Sequence, residues 1–144
     1  MISPIAKIRR LRPEDAALYR EIRLEALVHS PEAFSNTFED EAAQTLAWFA
    51  NRLAGSAVFG AFGGADVLGI ASFYVQPDRK EAHKGMLDGM YTRPVARRAG
   101  IARRLVNAVL HHAREHVELI ELAVVSDKVA ALRLYAGLGF IDTG

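Results

Sequence analysis

The sequence contains no cysteine, and this absence excludes disulfide bonds, thiolate metal sites and a cysteine nucleophile. It has no apolar run close to the roughly 20 residues that a membrane-spanning helix needs. Its first segment, MISPIAKIRRLRPED, shows no long apolar run before its charged residues, unlike a secretory signal. We therefore expect a cytoplasmic protein that does not enter a membrane.

A strong net charge is also missing, since 18 basic and 17 acidic residues leave a formal charge of +1. A general nucleic-acid-binding protein usually carries a larger basic excess over one face, so no nucleic-acid partner is expected. The length of 144 residues suits one domain, 1–144, with one continuous core.

Hydrophobic periodicity predicts a mixed α/β domain with helices on both faces of the sheet. Consecutive strands joined by the turn GGAD predict an antiparallel hairpin, and the strand–helix–strand unit Lys84–Val125 predicts one parallel pair. The run LIELAVV is apolar enough for a buried parallel strand. The expected fold is a three-layer, mostly antiparallel sheet. The helices are expected at Pro13–Ser30, Thr45–Gly55, Gly100–Val117 and Asp127–Gly139, and the strands at Ala6–Arg12, Ser56–Phe62, Val67–Gln76, Lys84–Thr92, Leu119–Val125 and from Gly139 onward.

Positive charge is concentrated where the helix at Gly100 begins: five arginines lie between Arg93 and Arg104, with no acidic residue among them. The unpaired N–H groups and the dipole of a helix N-terminus attract phosphates. Gly100 permits close approach of the backbone, and Arg97 and Arg98 add forked donors. The pattern describes a pyrophosphate site, although a basic surface loop is an equally open interpretation from charge alone. It is neither a Walker loop nor a dinucleotide fingerprint.

Two motifs mark this loop and the strand before it. The segment RRAGIA places Arg97, Gly100 and Ala102 in the pattern Arg/Gln-x-x-Gly-x-Gly/Ala. The preceding Met90–Pro94 resembles a strand end of the pattern hydrophobic-x-Pro.

Further motifs lie on either side: LYAGLGF follows the pattern Leu-Tyr-x-x-x-Gly-Phe, and IRLEAL is followed by SPEAF near the N-terminus. Taken together and in this order, the motifs resemble those of the GNAT N-acetyltransferase family over essentially the whole chain. The resemblance implies the GNAT-like acyl-CoA N-acyltransferase fold.

The sequence departs from the family pattern at three points. Arg98 replaces a second glycine, and Lys128 stands where many members have an asparagine, seven residues before Tyr135. Members normally continue with a strand that pairs with the one starting at Gly139, so we expect the last strand of the sheet to be missing.

The resemblance implies acetyl-CoA as the co-substrate, with no metal, and an acetyl group moved to a primary amine by direct attack in a ternary complex. Pantetheine would lie between the fourth and fifth strands, and a backbone N–H near Met90 or Tyr91 would polarise the thioester carbonyl. The residues expected to bind the cofactor are Met90, Tyr91, Thr92, Arg97, Arg98, Ala99, Gly100, Ile101, Ala102, Arg103, Lys128 and Tyr135.

Tyr135 is the candidate general acid for the leaving thiolate, because a phenol of pKa near 10 lies only slightly above a thiol near 8.5. The acceptor ammonium must also lose a proton. Asp88, which alternates with Met86 and Met90, is the first candidate base, with His83 and Glu39 behind it. A solvated charge is the alternative role for each of the three.

The acceptor, a small molecule or a peptide amine, is not identified by the sequence. Tyr19, Glu25, Phe34 and Phe38 lie on segments that usually form its binding wall in the family. A homodimer is an open possibility. The alternative function is a non-catalytic acyl-CoA-binding module. The pair His112 and His116, one helical turn apart, lacks a third ligand, so no metal site is expected.

Overall fold

The computed structural model describes residues 7–31, 34, 36–75, 80, 84–97, 100–122 and 129–141. The strands are β1 (Lys7–Arg10), β2 (Ala57–Gly63), β3 (Asp66–Val75), β4 (Lys84–Thr92) and β5 (Leu119–Glu121). The helices are α1 (Ala16–His29), α2 (Phe38–Ala42), α3 (Leu46–Gly55), α4 (Ile101–Ala113) and α5 (Val129–Gly137), with short 3-10 turns at Pro13–Asp15 and Pro94–Ala96.

The five strands form one sheet in the order β1-β2-β3-β4-β5. The first three pairings are antiparallel, and β5 runs parallel to β4, with Lys84 opposite Leu119 and Met86 opposite Glu121. The predicted mixed sheet with one parallel pair is therefore confirmed.

Two apolar cores cover the two faces of the sheet. On one face, α4 buries Ile101, Leu105, Val109 and Ala113 against the sheet, and this is the stripe that periodicity predicted. On the other face, α1 and α3 pack with β2 and β3 around a second cluster that includes Ile22. The three-layer arrangement places the N-terminal helices and α4 on opposite sides of the sheet.

The helix starts follow ordinary capping chemistry. Thr45 accepts a hydrogen bond from the Trp48 N–H at 3.2 Å and caps α3, as the sequence predicted. Pro13 opens a 3-10 turn that leads into α1, and the Asp15 carboxylate accepts from the Arg12 N–H and from Arg9.

The strand predicted at Leu119–Val125 differs from the structure in burial. Among the described residues it forms β5 over Leu119–Glu121, where Leu119 is 47% exposed, so the prediction of a buried strand is wrong for these residues. The physical reason is position: within the described residues β5 pairs with β4 alone, so it lies at a sheet edge. Residues 123–125 lie outside the described part.

The predicted strand from Gly139 is also wrong for the three residues that can be described. Gly139 has φ +95° and ends α5, where the Gly139 N–H donates to the Ala136 carbonyl and the Phe140 N–H to the Tyr135 carbonyl. These two hydrogen bonds form a Schellman motif at the helix end. The residues expected to start a strand therefore belong to the end of the helix. Ile141 is 86% exposed, and residues 142–144 lie outside the described ranges.

Helix α4 is shorter than the predicted Gly100–Val117. It ends at Ala113 and continues as tight turns, in which the His116 N–H donates to the Ala113 carbonyl at 2.9 Å.

His112 gives the fold a predicted pH dependence. Its ring packs edge-on against Phe59 and Phe73, both at 5.7 Å between centroids, and burial and the charge of His116 lower its pKa. Because the pKa of His112 is lower in the folded state, the folded state favours the neutral ring. The contribution of His112 to stability is therefore present above pH about 6.5 and is lost as the pH falls. We expect the free energy of unfolding to fall between about pH 7.5 and 5.5, as measured by urea denaturation.

His112→Phe keeps the ring packing and removes the titration, so its pH-dependent loss should be smaller than in the parent. His29→Asn, at an exposed position, is the matched control and should keep the parent's dependence. Equal losses in His112→Phe and the parent would contradict the assignment.

Candidate active site

The start of α4 has the geometry expected of an anion site. Gly100 is the N-cap with φ +75°, a left-handed conformation that side chains rarely adopt. Apart from its chain neighbours, no atom of the residues that the structure describes lies within 4 Å of the position of an added Cβ. The Arg104 N–H donates to the Gly100 carbonyl, so the helix leaves the N–H groups of Ile101, Ala102 and Arg103 without an intrahelical acceptor. Such donors at the positive end of a helix dipole are the groups that bind a phosphate.

The arginines around this helix start point in different directions. Arg97 is exposed, and its Nε donates to the Thr92 carbonyl at 3.1 Å, which ties the basic loop to the end of β4. Nη2 of exposed Arg103 lies 3.2 Å from the position that a Cβ on Gly137 would take, so this side chain reaches α5. Arg93 pairs instead with α1, through Glu25 and Glu21. The predicted contributors Arg98, Ala99 and Lys128 lie outside the described residues.

The predicted cofactor residues on β4 can offer only their backbone where their side chains are engaged. The Tyr91 hydroxyl donates to Glu25 Oε2 at 2.7 Å, and burial and this carboxylate raise the pKa of Tyr91 to about 12. Ile101 is likewise buried in the core. Thr92 has a buried hydroxyl with no hydrogen-bond partner in the described ranges.

A bulge interrupts β4 beside this segment. Ile70 pairs with Tyr91 and Ser72 pairs with Asp88, so β4 contains one residue more than β3 over this interval. Gly89, within the bulge, has φ +61°. The bulge reverses the alternation of the strand.

Because of the bulge, the prediction that Asp88 and Met90 share a face of β4 is wrong. Met90 packs against the core on the α4 face, whereas Asp88 lies opposite Ser72 and its charge acts on Tyr19 and Arg23 of α1. Asp88 and Met90 therefore do not share a face, although the sequence alternation predicted that they would. Asp88 still faces the helices that carry the predicted acceptor wall.

The described part of β5 pairs only with Lys84–Met86, at the start of β4. From Leu87 to Thr92, β4 has no partner on this side among the residues that the structure describes. This interval contains the bulge and the backbone groups predicted to meet pantetheine.

Tyr135 lies on the α4 face of the sheet. Its ring is half-buried, packs against the same core as Met90, and meets Phe140 edge-on at 5.7 Å between centroids. Burial raises its pKa to about 12, so the phenol is neutral throughout the physiological range. The candidate acid and Asp88 thus lie on opposite faces of the sheet.

The predicted acceptor wall is only partly open to solvent. Tyr19 is fully buried, Glu25 binds Tyr91, and Phe34 stacks on a buried guanidinium, whereas Phe38 is 38% exposed. Of the other candidate bases, Glu39 is exposed on α2 and His83 lies outside the described ranges.

Sequence reasoning missed a buried ion pair beneath β4. Arg23 donates from Nε and Nη2 to the two carboxylate oxygens of Glu41, at 2.9 and 2.8 Å, and both residues are 1% exposed. The available signal was helical spacing: Arg23 follows Tyr19 by four residues and so falls on the buried face of α1. Its partner lies 18 residues away, which no local pattern reveals.

Two further features concern the described residues only. They contain no group of three or more His, Asp or Glu side chains arranged to hold a metal ion. None of their helices combines the length and the apolar character needed to cross a bilayer.

Comparison with known proteins defines the class. A sequence model of the acetyltransferase (GNAT) family matches residues 19–140. The chain belongs to the GNAT acetyltransferase family, which confirms the resemblance found in the sequence. No curated protein sequence matches the chain.

Solved structures show the same fold. An acetyltransferase of the GNAT family from Streptococcus pneumoniae is 20% identical, with a TM-score of 0.85 over 97% of this chain and 86% of that one. The putative acetyltransferase yncA from Salmonella typhimurium, solved with its cofactor acetyl-CoA, is 25% identical, with a TM-score of 0.79 over 97% and 82% of the two chains. A predicted acetyltransferase from Clostridium acetobutylicum, solved with acetyl-CoA, is 23% identical, with a TM-score of 0.71 over 96% and 92%.

Proposed function

We propose that this chain, as one domain spanning 1–144, transfers an acetyl group from acetyl-CoA to a primary amine by direct attack in a ternary complex. The observation that carries the proposal is the start of α4, where left-handed Gly100 precedes three N–H groups that have no intrahelical acceptor. Family membership supports acetyl transfer, and the acetyl-CoA found with two of the similar structures supports the donor.

The residues at the start of α4 fit the pyrophosphate of acetyl-CoA. The N–H groups of Ile101, Ala102 and Arg103 would hold it at the positive end of the helix dipole, with exposed Arg97 nearby. The Met90 N–H, next to the bulge in β4, would donate to the thioester oxygen as negative charge develops there.

Tyr135 is proposed as the general acid. As the new C–N bond forms and the C–S bond breaks, its hydroxyl would give its proton to the leaving thiolate sulfur. Full proton transfer from a phenol of pKa about 12 to a thiol near 8.5 is uphill by about 5 kcal/mol. The proton therefore moves as part of the bond-breaking step, in which the sulfur carries the most charge.

Asp88 is proposed as the base that receives the proton of the acceptor ammonium. Only about one alkyl amine in 2,500 is neutral at pH 7, so the reaction needs such a group. Asp88 lies on the face of α1 and α3, opposite to that of Tyr135, which allows a proton to enter on one side of the sheet and leave on the other.

A thermal shift and a thiol-release assay test the proposal together. Acetyl-CoA should raise the melting temperature, and free CoA should appear when a panel of primary amines is added. Binding without release of CoA by any amine would favour the alternative, a non-catalytic acyl-CoA-binding module. The absence of both effects would contradict both functions.

A further inference from the structure

The buried Arg23–Glu41 pair joins α1 to α2 beside strand β4. Arg23 belongs to α1 and Glu41 to α2, and Glu41 also accepts from Asn36 Nδ2 at 3.0 Å. The Phe34 ring covers the guanidinium, with 4.4 Å between the Arg23 Cζ and the ring centroid. Arg23 is therefore held by the Glu41 carboxylate and by the Phe34 ring.

Glu41 uses only one edge of the guanidinium, because it binds Nε and Nη2 and leaves Nη1 free. Nη1 is buried and makes no hydrogen bond to any residue that the structure describes. Burial by itself lowers the pKa of Arg23, but the hydrogen bond to Glu41, together with the charges of Tyr19, Glu41 and Asp88, outweighs burial and raises the pKa. The pair is thus a fixed dipole whose positive end is the Nη1 edge.

This positive edge lies against the bulge of β4. Nη1 is 3.0 Å from the position that a Cβ on Gly89 would take, and the buried hydroxyl of Ser72, also unpaired in the described part, is 3.4 Å from the same point. Any side chain at residue 89 would meet the guanidinium, so the arginine packs directly on the backbone of the bulge. Met90, whose N–H is the proposed thioester donor, is the next residue.

We propose that Arg23 is a positioning residue for acetyl transfer: its Nη1 edge packs on Gly89, fixes the bulge that presents the Met90 N–H, and places positive charge beside the thioester oxygen. The inference rests on the proposed function. A buried cation near a developing oxyanion stabilises it more than a solvated one, because little water screens the interaction.

The pair also couples α2 and the segment before it, which are expected to form part of the acceptor wall, to the bulge beside the proposed thioester site. Because Glu41 and Phe34 fix the guanidinium from α2 and the segment before it, a displacement there changes the support beneath the bulge. A purely structural ion pair would need only the two bonds to Glu41.

Arg23→Lys separates a structural role of the ion pair from the proposed positioning of the bulge. A lysine keeps a buried charge pair with Glu41 but has no second edge to place on Gly89. We expect a folded variant whose kcat is lowered about tenfold, with the KM for acetyl-CoA within about twofold of the parent. A folded Arg23→Lys variant with kcat within about twofold of the parent would overturn the proposal.

The double variant Arg23→Met with Glu41→Leu removes both charges, so that neither is left buried alone. Its kcat should fall at least as far as that of Arg23→Lys. The matched control is Arg9→Met with Asp15→Asn, which removes another bidentate pair, with bonds of 2.9 and 3.0 Å, between β1 and the 3-10 turn before α1. The control should retain kcat within about twofold.

The vibrational frequency of the thioester carbonyl in bound, isotopically labelled acetyl-CoA tests the proposed role of Arg23 without turnover. In the parent, polarisation should lower the frequency relative to free acetyl-CoA, and Arg23→Lys should lose part of that shift. An unchanged shift in the variant would overturn the role of Arg23. If the parent binds acetyl-CoA but acetylates no amine, the proposed function fails, whereas the frequency still tests the positioning.

Discussion

Replacing Tyr135 by phenylalanine is expected to lower kcat by about 100-fold or more, with little change in the KM for acetyl-CoA. Phenylalanine keeps the edge-on contact with Phe140 and the packing on the α4 core, so only the proton donor is lost. The raised pKa of about 12 adds a second expectation: Tyr135 stays protonated to high pH, so its ionisation causes no fall in kcat below about pH 11.

Steady-state thiol release measured over a range of pH checks both expectations. Leu132→Ala is the matched control, because Leu132 is 39% exposed on the same helix and its replacement should leave kcat within about twofold. A Tyr135→Phe enzyme with the rate of the parent would show that the phenol only packs between helix and sheet.

Replacing Gly100 by aspartate is expected to weaken acetyl-CoA binding about 100-fold or more, equivalent to about 2.7 kcal/mol. Aspartate tolerates the left-handed conformation better than most side chains, and a carboxylate suits a helix N-terminus, so folding should change little. The carboxylate would, however, take the place of the pyrophosphate at the helix N-terminus, and its negative charge would repel the phosphates.

Titration calorimetry of Gly100→Asp and Gly64→Asp tests this expectation. Gly64 provides a close match, because it has φ +63° and its added Cβ would also lie more than 4 Å from every described residue apart from its chain neighbours, but it lies in the turn between β2 and β3. Gly64→Asp should bind acetyl-CoA like the parent. Equal affinity of the two variants would remove Gly100 from the site.

The elements that could be predicted from the sequence are those with a local signal. The stripe Ile101, Leu105, Val109 and Ala113 repeats with the helical period, and it is buried as expected. The cap at Thr45 follows from one side chain and the N–H three residues later. The basic helix start was found because its glycine, its arginines and its position after a strand are contiguous.

The features that escaped prediction depend on contacts between distant segments. The bulge at Gly89 changes which residues of β4 share a face, and a glycine in a strand does not by itself say where the extra residue falls. Helical spacing places Arg23 on the buried face of α1, but its partner Glu41 lies 18 residues away on α2, and no local pattern indicates that pairing. The run that begins at Leu119 has an apolar composition, but its described strand residues pair with β4 alone and are not buried.

The central claim, direct transfer to an amine, is tested most directly by a single-turnover experiment. Excess enzyme is mixed with acetyl-CoA, with and without a primary amine that is active in the thiol-release assay, and all species are weighed by intact mass spectrometry. The account predicts one acetyl group on the amine nitrogen, one free CoA for each transfer, and an enzyme of unchanged mass at every time point. An acetylated enzyme that forms without the amine and disappears when the amine is added would contradict it.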